Sequence, residues 1–259
     1  MIVLLSPAKS LDFESPSPSS TSTLPVLLDR SAKLMTTVRK LSADDLSALM
    51  KISEKLGELN FDRNKKWKKK HTEQNSKSCV FAFQGDVYQG LEAESFTKTQ
   101  LKFCQKHVRI LSGLYGILKP LDLIQPYRLE MGTKLQTKAG SKLYDFWEDT
   151  ISDEIAAELK TLKSKLIVNL ASNEYSTAAR FKRLEAEVFS PAFKDWKNGQ
   201  YKMISFFAKK ARGMMAKYIV DHKVTKAADL VGFNYGGYQF NPELTPNEFT
   251  PTFSRKIAD

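Results

Sequence analysis

With 259 residues, 42% of them hydrophobic and 27% charged, the chain can bury a substantial core, and its composition excludes a disordered or fibrous protein. No apolar run approaches the roughly 20 residues of a membrane helix, and the short apolar N-terminal stretch does not have the form of a signal peptide. We therefore expect a cytoplasmic protein without a membrane partner. The formal net charge of +11 favours a polyanionic partner, and nucleic acid more than a membrane surface.

The N-terminal segment predicts a buried strand, IVLL, that ends before Pro7 and leaves Lys9 just beyond its carboxyl end. A loop rich in proline and serine (14–23) follows this strand. A helix is then predicted to begin at Pro25, where proline is favourable because the first N–H groups of a helix have no intrahelical acceptor.

The next segment, 42–62, predicts two short helices joined by a tight turn whose apolar tip is Ile52. This pattern resembles the helix-hairpin-helix motif, which binds a phosphate backbone through main-chain N–H groups of the turn and of the second helix. The usual turn has glycine on both sides of the apolar residue, whereas Lys51 and Ser53 occupy those places here. We expect Lys51, Ser53 and Lys55 to contact phosphates; the alternative is a hairpin that serves only the core.

The run RNKKWKKKH, at residues 63–71, is the most basic part of the chain. Lysine and arginine neutralise phosphates, and an aromatic ring among them can stack on an exposed base. Trp67 therefore has two interpretations, a stacking surface for nucleic acid or a ring packed into the protein. The predicted DNA-binding cations of this run are Arg63, Lys65, Lys66, Lys68, Lys69 and Lys70.

The middle of the chain alternates between strand and helix patterns. CVFAFQGDVYQG predicts a strand followed by a turn, and TKTQLKFCQKHVRILSG predicts a helix with a capping box at Thr97 and Gln100 and with Gly113 as its C-terminal cap. KLYDFWEDTISDEIAAELKTL predicts one long amphipathic helix.

The C-terminal third predicts a buried strand at SKLIVNLAS, a further strand at YKMISFF and a helix at AKKARGMMAKYIV. The part after Gly232 is expected to be irregular. Because strands and helices are mixed without a regular alternation and no long linker interrupts them, we predict one compact α/β domain of mixed α+β type that spans residues 1–259.

Polar side chains follow several predicted strands, and sites gather at strand ends in α/β proteins. They fall in three short segments and in the loop LSGLYGILKPLDLIQPYRLEMG. Cations on the helix at AKKARGMMAKYIV join them, because Gly213 on the same side of that helix allows a close approach of another backbone or of a ligand. We expect these side chains to form a cleft: Lys9, Tyr88, Tyr115, Arg128, Tyr175, Lys209, Lys210 and Arg212.

Carboxylates beside these cations could carry out acid–base chemistry on a nucleotide, and they could equally form a structural ion-pair network. The candidates are Glu130, Glu174 and Asp86. The chain contains no nucleophile elbow, no phosphate-binding loop and no dinucleotide fingerprint.

Cysteine and histidine patterns give no indication of a metal or a redox centre. Cys79 and Cys104 belong to no CxxC pair, and His71, His107 and His222 have no ligand spacing. We therefore predict buried, unpaired thiols, no metal site and no cofactor.

Five separated motifs together resemble one bacterial family, the YaaA peroxide-stress proteins. The motifs are SPAKSLDF, FQGDVYQGL, LSGLYGILKPLDLIQPYRLEMG, VNLASNEY and FFAKKARGMMAKYI, and the similarity extends from Met1 to about Phe240. The resemblance implies protection against hydrogen peroxide, a lowering of free intracellular iron, an unusual α/β fold with a helix-hairpin-helix element, a positively charged cleft and binding of double-stranded DNA. It implies no particular catalytic activity.

Three functions remain in competition at this point. The first is largely sequence-independent binding of double-stranded DNA through the helical hairpin and a basic cleft. The second is an enzyme that acts on nucleic acid or nucleotides, for example by removing or repairing damaged bases with the cleft carboxylates. The third is direct iron sequestration, which the sequence argues against because it has no Cys/His cluster and no paired Glu-x-x-His pattern.

Overall fold

The computed structural model describes residues 1–256, which form a mixed α/β structure with several sheets. The strands are β1 (Ile2–Leu5), β2 (Ser10–Leu11), β3 (Lys77–Ser78), β4 (Phe83–Gln84), β5 (Val108–Ser112), β6 (Gly116–Leu118), β7 (Leu123–Ile124), β8 (Leu166–Asn169), β9 (Glu187–Phe189), β10 (Ala192–Lys197), β11 (Gln200–Lys202), β12 (Gln239–Phe240) and β13 (Thr252–Arg255). The helices are α1 (Leu28–Val38), α2 (Ala43–Met50), α3 (Glu54–Lys66), α4 (Cys79–Ala82), α5 (Asp86–Leu91), α6 (Lys98–His107), α7 (Leu143–Trp147), α8 (Thr150–Thr161), α9 (Asn173–Ser176) and α10 (Ser205–Asp221).

The central sheet has five strands in the order β6-β5-β1-β8-β9. β1 runs parallel to both neighbours, with Val3 opposite Val108 of β5 and Val168 of β8. All four residues of β1 are fully buried, because both faces of this strand are covered. A continuous apolar run such as IVLL is what a doubly covered parallel strand requires.

The order of the strands creates a crevice at one edge of this sheet. The chain goes from β1 to its neighbour β5 on one side and later returns to β8 on the other side of β1. The chain therefore continues from β1 to β5 in one direction across the sheet and from β8 to β9 in the other direction. The carboxyl ends of β1 and β8 border the topological switch point between them. Ligands of open α/β sheets bind at such a point.

A second sheet, β11-β10-β13-β12, is formed by the C-terminal third of the chain. Its strand β13 lies between β10 and β12, parallel to the first and antiparallel to the second. The sequence predicts an irregular chain after Gly232, and this prediction is wrong for β12 and β13. Local patterns did not indicate a strand there because β13 is stabilised by partners distant in the sequence.

Helices α5 and α10 cross with their backbones in direct contact. A Cβ atom on Gly213 would lie 1.8 Å from the carbonyl oxygen of Val87, and one on Gly90 would lie 2.1 Å from that of Lys210. Only glycine fits at these two positions. Of the two explanations for Gly213, close approach of another backbone or of a ligand, the packing against α5 supports the first. The crossing fixes the side chains of α10 against those of α5.

The helices α2 and α3 form the predicted pair, joined by Lys51, Ile52 and Ser53. Ser42 caps α2 through a capping box with Asp45. The leucines Leu56 and Leu59 of α3 are exposed, and its buried residues are Gly57, Asn60 and Asn64. α3 presents a polar face of small residues inward, which a count of leucines could not reveal.

The part of the basic run at the end of α3 is held by hydrogen bonds to Tyr115, between β5 and β6, and to Gln125, directly after β7. The Trp67 indole N–H donates to the Tyr115 hydroxyl at 2.9 Å, so this ring packs into the protein. The Gln125 side chain bonds both main-chain groups of Lys68, accepting from its N–H at 2.9 Å and donating to its carbonyl oxygen at 2.6 Å. The lysines therefore project from a fixed backbone.

Three predicted elements differ from the structure. The capping box of Thr97 and Gln100 is confirmed, but α6 ends at His107, and the residues after it form β5 between β1 and β6. CVFAFQGDVYQG contains the two short helices α4 and α5 around β4, and the long helix at 143–161 is divided where Glu148 has a φ of 46°. For β5, burial between β1 and β6 overrides the helical propensity that the local pattern indicates.

Candidate functional site

A cavity of about 440 Å³ lies at the switch point, beside the carboxyl ends of β1 and β8. The loops after both strands, the start of α5, the loop after β7, and helices α9 and α10 all contribute to its wall. The polar and aromatic side chains that line it are Ser6, Lys9, Ser10, Gln84, Asp86, Tyr88, Glu130, Ser172, Glu174, Tyr175, Lys209 and Arg212. We call this cavity the switch-point pocket.

The base of the pocket is tied together by serine hydroxyls that follow the two strands. The main-chain N–H of Ser172 donates to Ser6 Oγ at 2.9 Å, and the two hydroxyl oxygens lie 3.4 Å apart. The Tyr88 hydroxyl donates to the carbonyl oxygen of Ser6 at 3.1 Å. These bonds connect β1, β8 and α5, so the base is rigid. Neither serine is among the predicted cleft residues, although Ser6 directly follows β1 and Ser172 begins the polar segment after β8.

The three carboxylates of the pocket differ in how they are paired. Glu130 lies 2.8 Å from Lys9 Nζ and 3.5 Å from an Arg128 guanidinium nitrogen. Glu174 accepts the main-chain N–H of Gly132 at 2.8 Å. Within residues 1–256, Asp86 has neither an ion pair nor a hydrogen bond through its side chain. Asp86 is therefore the carboxylate most available to a ligand.

Tyr88 and Tyr175 form buried parts of the wall. Burial raises the pKa of both phenols well above the usual value, and for Tyr175 the nearby carboxylates of Glu174 and Glu130 raise it further. Both side chains are therefore neutral near pH 7. They can supply apolar ring surface and hydrogen bonds, but they cannot act as bases.

Lys209 and Arg212 bring positive charge into the pocket from one side of α10. Lys209 is exposed and Arg212 is half-buried. Burial lowers the pKa of the Arg212 guanidinium, which nevertheless stays protonated because its reference value is so high. In the part of the chain that the structure describes, no carboxylate and no hydrogen-bond acceptor pairs with Arg212. The pocket thus contains a half-buried charge with no protein partner among residues 1–256.

A second pair of arginines connects the pocket wall to α3. Burial and the nearby charge of Arg128 lower the pKa of Arg63. Arg128 is itself largely buried, and among residues 1–256 its Nε atom finds no hydrogen-bond partner. Since Arg128 also contacts Glu130, positive side chains follow one another from α3 to the pocket.

The structure brings most of the predicted cleft residues together, but not all of them. Lys9, Tyr88, Tyr175, Lys209 and Arg212 line the pocket together with the three candidate carboxylates, Asp86, Glu130 and Glu174. Arg128 lies behind Glu130. Lys210, on the same helix as Arg212, does not line the pocket.

Tyr115 is a correction to the expected cleft, because it is completely buried in the core. Its hydroxyl accepts the N–H groups of the Trp67 indole and of Gln125, at 2.9 and 3.1 Å, and lies 3.0 Å from His71 Nε2. The ring is thus a structural centre that holds the basic run. The residues around it carry no local pattern that identifies them as its partners.

The candidate DNA-binding residues lie on the surface around α3. Lys51, Ser53 and Lys55 are exposed at the turn and at the start of that helix, and Arg63 is half-buried near its end. The exposed lysines of the basic run are Lys65, Lys66, Lys68, Lys69 and Lys70. Of these five, only Lys69 forms an ion pair in residues 1–256, and its partner is Asp29.

The two cysteines are buried, as predicted. Burial raises the pKa of Cys79 well above its usual value and that of Cys104 to about 12, so both thiols stay protonated near pH 7. Since the thiolate is the reactive form, these side chains are chemically inert in the folded protein. Among residues 1–256, no three or more His, Cys, Asp or Glu side chains are placed to hold a metal ion, and no helix is long and apolar enough to cross a membrane.

Residues 1–244 match the model of a protein family described as peroxide stress protein YaaA. The chain belongs to this family. It is 50% identical over 255 residues to a UPF0246 protein of Pseudoalteromonas translucida, covering 98% of both chains. UPF0246 proteins of Shewanella pealeana (50% over 257 residues, 99% of both chains) and Saccharophagus degradans (49% over 245 residues, 95% of this chain and 96% of the relative) are similarly close. Family membership indicates a role in oxidative stress.

Proposed function

We propose that the protein binds double-stranded DNA, largely independently of sequence, as part of the cytoplasmic response to peroxide, and so limits oxidative damage. The observation that carries this proposal is the basic run: four of its five exposed lysines have no ion-pair partner in residues 1–256. Their backbone is anchored through Trp67 and Gln125. Several unpaired cations on a fixed backbone match a polyphosphate, because each phosphate contact releases condensed counterions.

The start of α3 adds main-chain donors beside this run. In the described part of the chain the Ser53 side chain forms no capping hydrogen bond, so the first N–H groups of a 13-residue helix are available at an exposed turn. Lys51 adopts the left-handed conformation, with φ 52° and ψ 53°. The turn therefore reaches without glycine the backbone shape that glycine usually provides, which supports a phosphate contact here.

The path from α3 to the switch-point pocket supports one continuous surface. Arg63 lies beside Arg128, Arg128 contacts Glu130, and Glu130 pairs with Lys9 at the pocket. A DNA strand on the basic run would run toward the pocket along this path. The proposal therefore includes a basic cleft that takes part in holding DNA.

Fluorescence anisotropy with a labelled duplex of mixed sequence tests the proposal. If about six phosphates are neutralised, the affinity should fall on the order of a thousandfold between 50 and 200 mM salt. The triple substitution Lys65→Gln, Lys66→Gln and Lys68→Gln should weaken binding at 50 mM salt by on the order of a hundredfold and should lower the slope of log affinity against log salt by about three.

A matched control removes three exposed lysines that form no ion pair with the other described residues. Lys160→Gln, Lys163→Gln and Lys165→Gln change the net charge equally but lie around a separate cavity near α8. This variant should bind DNA almost as well as the unsubstituted protein. Binding that is absent or insensitive to salt, or an equal loss in both triple variants, would contradict the proposal.

An enzyme acting on nucleic acid or nucleotides is the second candidate, and the unpaired carboxylate of Asp86 in the pocket favours it. A carboxylate free of ion pairs is able to accept a proton from a substrate. If this function holds, Asp86→Asn should abolish turnover of an oxidised DNA substrate while leaving its binding intact, with Glu130→Gln and Glu174→Gln as comparisons. If the folded protein leaves all tested oxidised lesions unchanged, the hypothesis of an enzyme that acts on nucleic acid is wrong.

A further inference from the structure

We propose that the switch-point pocket binds one phosphorylated nucleoside unit, with its phosphate on Arg212 and Lys209. This site is distinct from the DNA contacts of the basic run, and its occupancy can be measured without duplex DNA. The inference deepens the second candidate function by naming the ligand class, but binding does not require turnover.

The argument begins with Arg212. A guanidinium that is half-buried and lacks an acceptor has lost part of its hydration without gaining a partner, which costs stability. Rearrangement of the helix cannot relieve this cost, because Gly213, the next residue, has no space for even one Cβ atom against α5. A bound anion compensates the charge without moving the backbone.

The neighbouring cation favours phosphate among the possible anions. Lys209 lines the pocket three residues before Arg212 on α10, which puts both side chains on the same face of the helix. Arginine binds phosphate through two parallel N–H bonds, and a lysine beside it adds a point charge. Together they match a phosphate with one or two negative charges.

The remainder of the pocket favours a nucleoside attached to that phosphate. Its volume of about 440 Å³ lies within the range of roughly 300–1,000 Å³ that is typical of small-molecule sites. Asp86, Glu174 and Gln84 offer acceptors to sugar hydroxyls or to the amino groups of a base. The tyrosines Tyr88 and Tyr175 add neutral ring surface against which a base can pack.

Calorimetric titration with the four deoxynucleoside 5′-monophosphates tests the site directly. We expect saturable binding of one molecule per chain, at least tenfold weaker binding of the nucleosides without phosphate, and at least tenfold weaker binding of inorganic phosphate. Arg212→Gln should weaken the binding of the monophosphates at least tenfold. Lys210→Gln is the matched control, because this exposed lysine lies on the same helix outside the pocket. The affinity of this variant for the monophosphates should be unchanged.

Circular dichroism checks that Arg212→Gln is folded. If Arg212→Gln does not fold, Lys209→Gln tests the site instead, because it removes an exposed cation of the same pocket. The proposal is overturned if the monophosphates do not saturate, if inorganic phosphate binds equally well, or if a folded pocket variant binds like the control. None of these results depends on duplex binding by the basic run, so the two proposals can fail separately.

A competition arm distinguishes a free nucleotide from one within a DNA strand. A duplex with a single unpaired 2-aminopurine nucleotide reports by its fluorescence when that base leaves the helix. If excess monophosphate reverses this signal, the site accepts a strand-borne nucleotide; if the signal is absent while monophosphates bind, the site accepts free nucleotides. Both results support the same pocket chemistry.

Discussion

The surface around α3 and the switch-point pocket use positive charge in opposite ways. On α3 and the basic run, the lysines are exposed and mostly unpaired, and the buried hydrogen bonds beneath them hold only the backbone. In the pocket, Lys9 and Glu130 pair with each other, whereas the half-buried Arg212 has no partner within residues 1–256. The first arrangement suits a long, uniform polyanion, and the second suits one small ligand with a defined shape.

This difference has an electrostatic cause. Exposed charges are screened by salt and act as a sum, so no single lysine is decisive. A charge in a cavity is screened less and interacts with a few fixed neighbours, so a single substitution has a large effect. Substitutions that disturb one region and spare the other therefore test the comparison.

The largest effect is expected from Gly213→Ala. The new Cβ atom would lie 1.8 Å from the carbonyl oxygen of Val87, so α10 would have to move away from α5. Overpacking of backbone against backbone should lower the free energy of unfolding by on the order of 4 kcal/mol. Urea unfolding measures this loss.

Gly199→Ala is the control for this substitution, because a Cβ atom there meets nothing within 4 Å and only the positive φ of 78° opposes it. It should cost about 1 kcal/mol. Equal losses in the two variants would show that the helices do not meet as described.

Tyr115→Phe should have the next largest effect. Removing the hydroxyl leaves the Trp67 indole N–H, the Gln125 N–H and His71 Nε2 without their buried partner. We expect a loss of about 3 kcal/mol in the free energy of unfolding and a weaker DNA affinity, because the basic run loses its anchor. Chemical denaturation and anisotropy measure the two effects.

Tyr201→Phe is the matched control, since the structure shows no hydrogen bond from that hydroxyl within residues 1–256. Its unfolding free energy should change by less than about 0.5 kcal/mol. If Tyr115→Phe is as stable as this control, the hydroxyl is not the centre of a buried network.

The pH dependence of stability should show a smaller effect at His71. Burial lowers the pKa of this imidazole, although its bond to the Lys69 carbonyl opposes the shift. In the neutral form Nδ1 donates to that carbonyl at 3.0 Å and Nε2 accepts from the Tyr115 hydroxyl. Below the unfolded-state pKa of about 6.5, the unfolded chain binds more protons at this residue than the folded protein does. The contribution of His71 to stability is therefore fully present above this pH and is lost as the pH falls through it.

Urea midpoints of the unsubstituted protein and of His71→Gln, measured between pH 7.5 and 5.5, test this expectation. The difference in stability between the two proteins should shrink toward low pH. Asp122 provides an opposing contribution, because burial raises its pKa to about 6 and its proton stabilises the folded state as the pH falls toward 4. A difference that stays constant or grows toward pH 5.5 would contradict the lowered pKa of His71.

The smallest effect is expected from Glu54→Gln at the start of α3. This exposed carboxylate lies in the first turn, next to the N–H groups that we propose to contact phosphate. Its removal should tighten DNA binding roughly two- to fivefold at low salt, because a repulsion of about 0.5–1 kcal/mol is lost. Glu185 is an exposed carboxylate near α8, and Glu185→Gln is the control that should leave the anisotropy curve unchanged. If DNA does not reach the turn before α3, Glu54→Gln will also leave the curve unchanged.

Patterns of neighbouring residues were sufficient for much of the molecule. The apolar runs that form β1 and β8, the capping box of α6, the helix pair and the basic run are all visible in the chain itself. Each depends on residues a few positions apart, where hydrophobic periodicity and caps act. Eight of the candidate pocket residues were also found, because polar groups that follow buried strands gather at one edge of a sheet.

Only the tertiary structure decided how these parts meet. The chain alone showed that Tyr115, Gly213 and Arg212 needed an explanation, but contacts with distant residues gave each a different one. Tyr115 joins Trp67 and His71 in the core, Gly213 admits the backbone of α5, and Arg212 lies in the pocket without an ion-pair partner from residues 1–256. Local sequence determines propensity and charge, whereas burial and pairing depend on neighbours that folding brings from far along the chain.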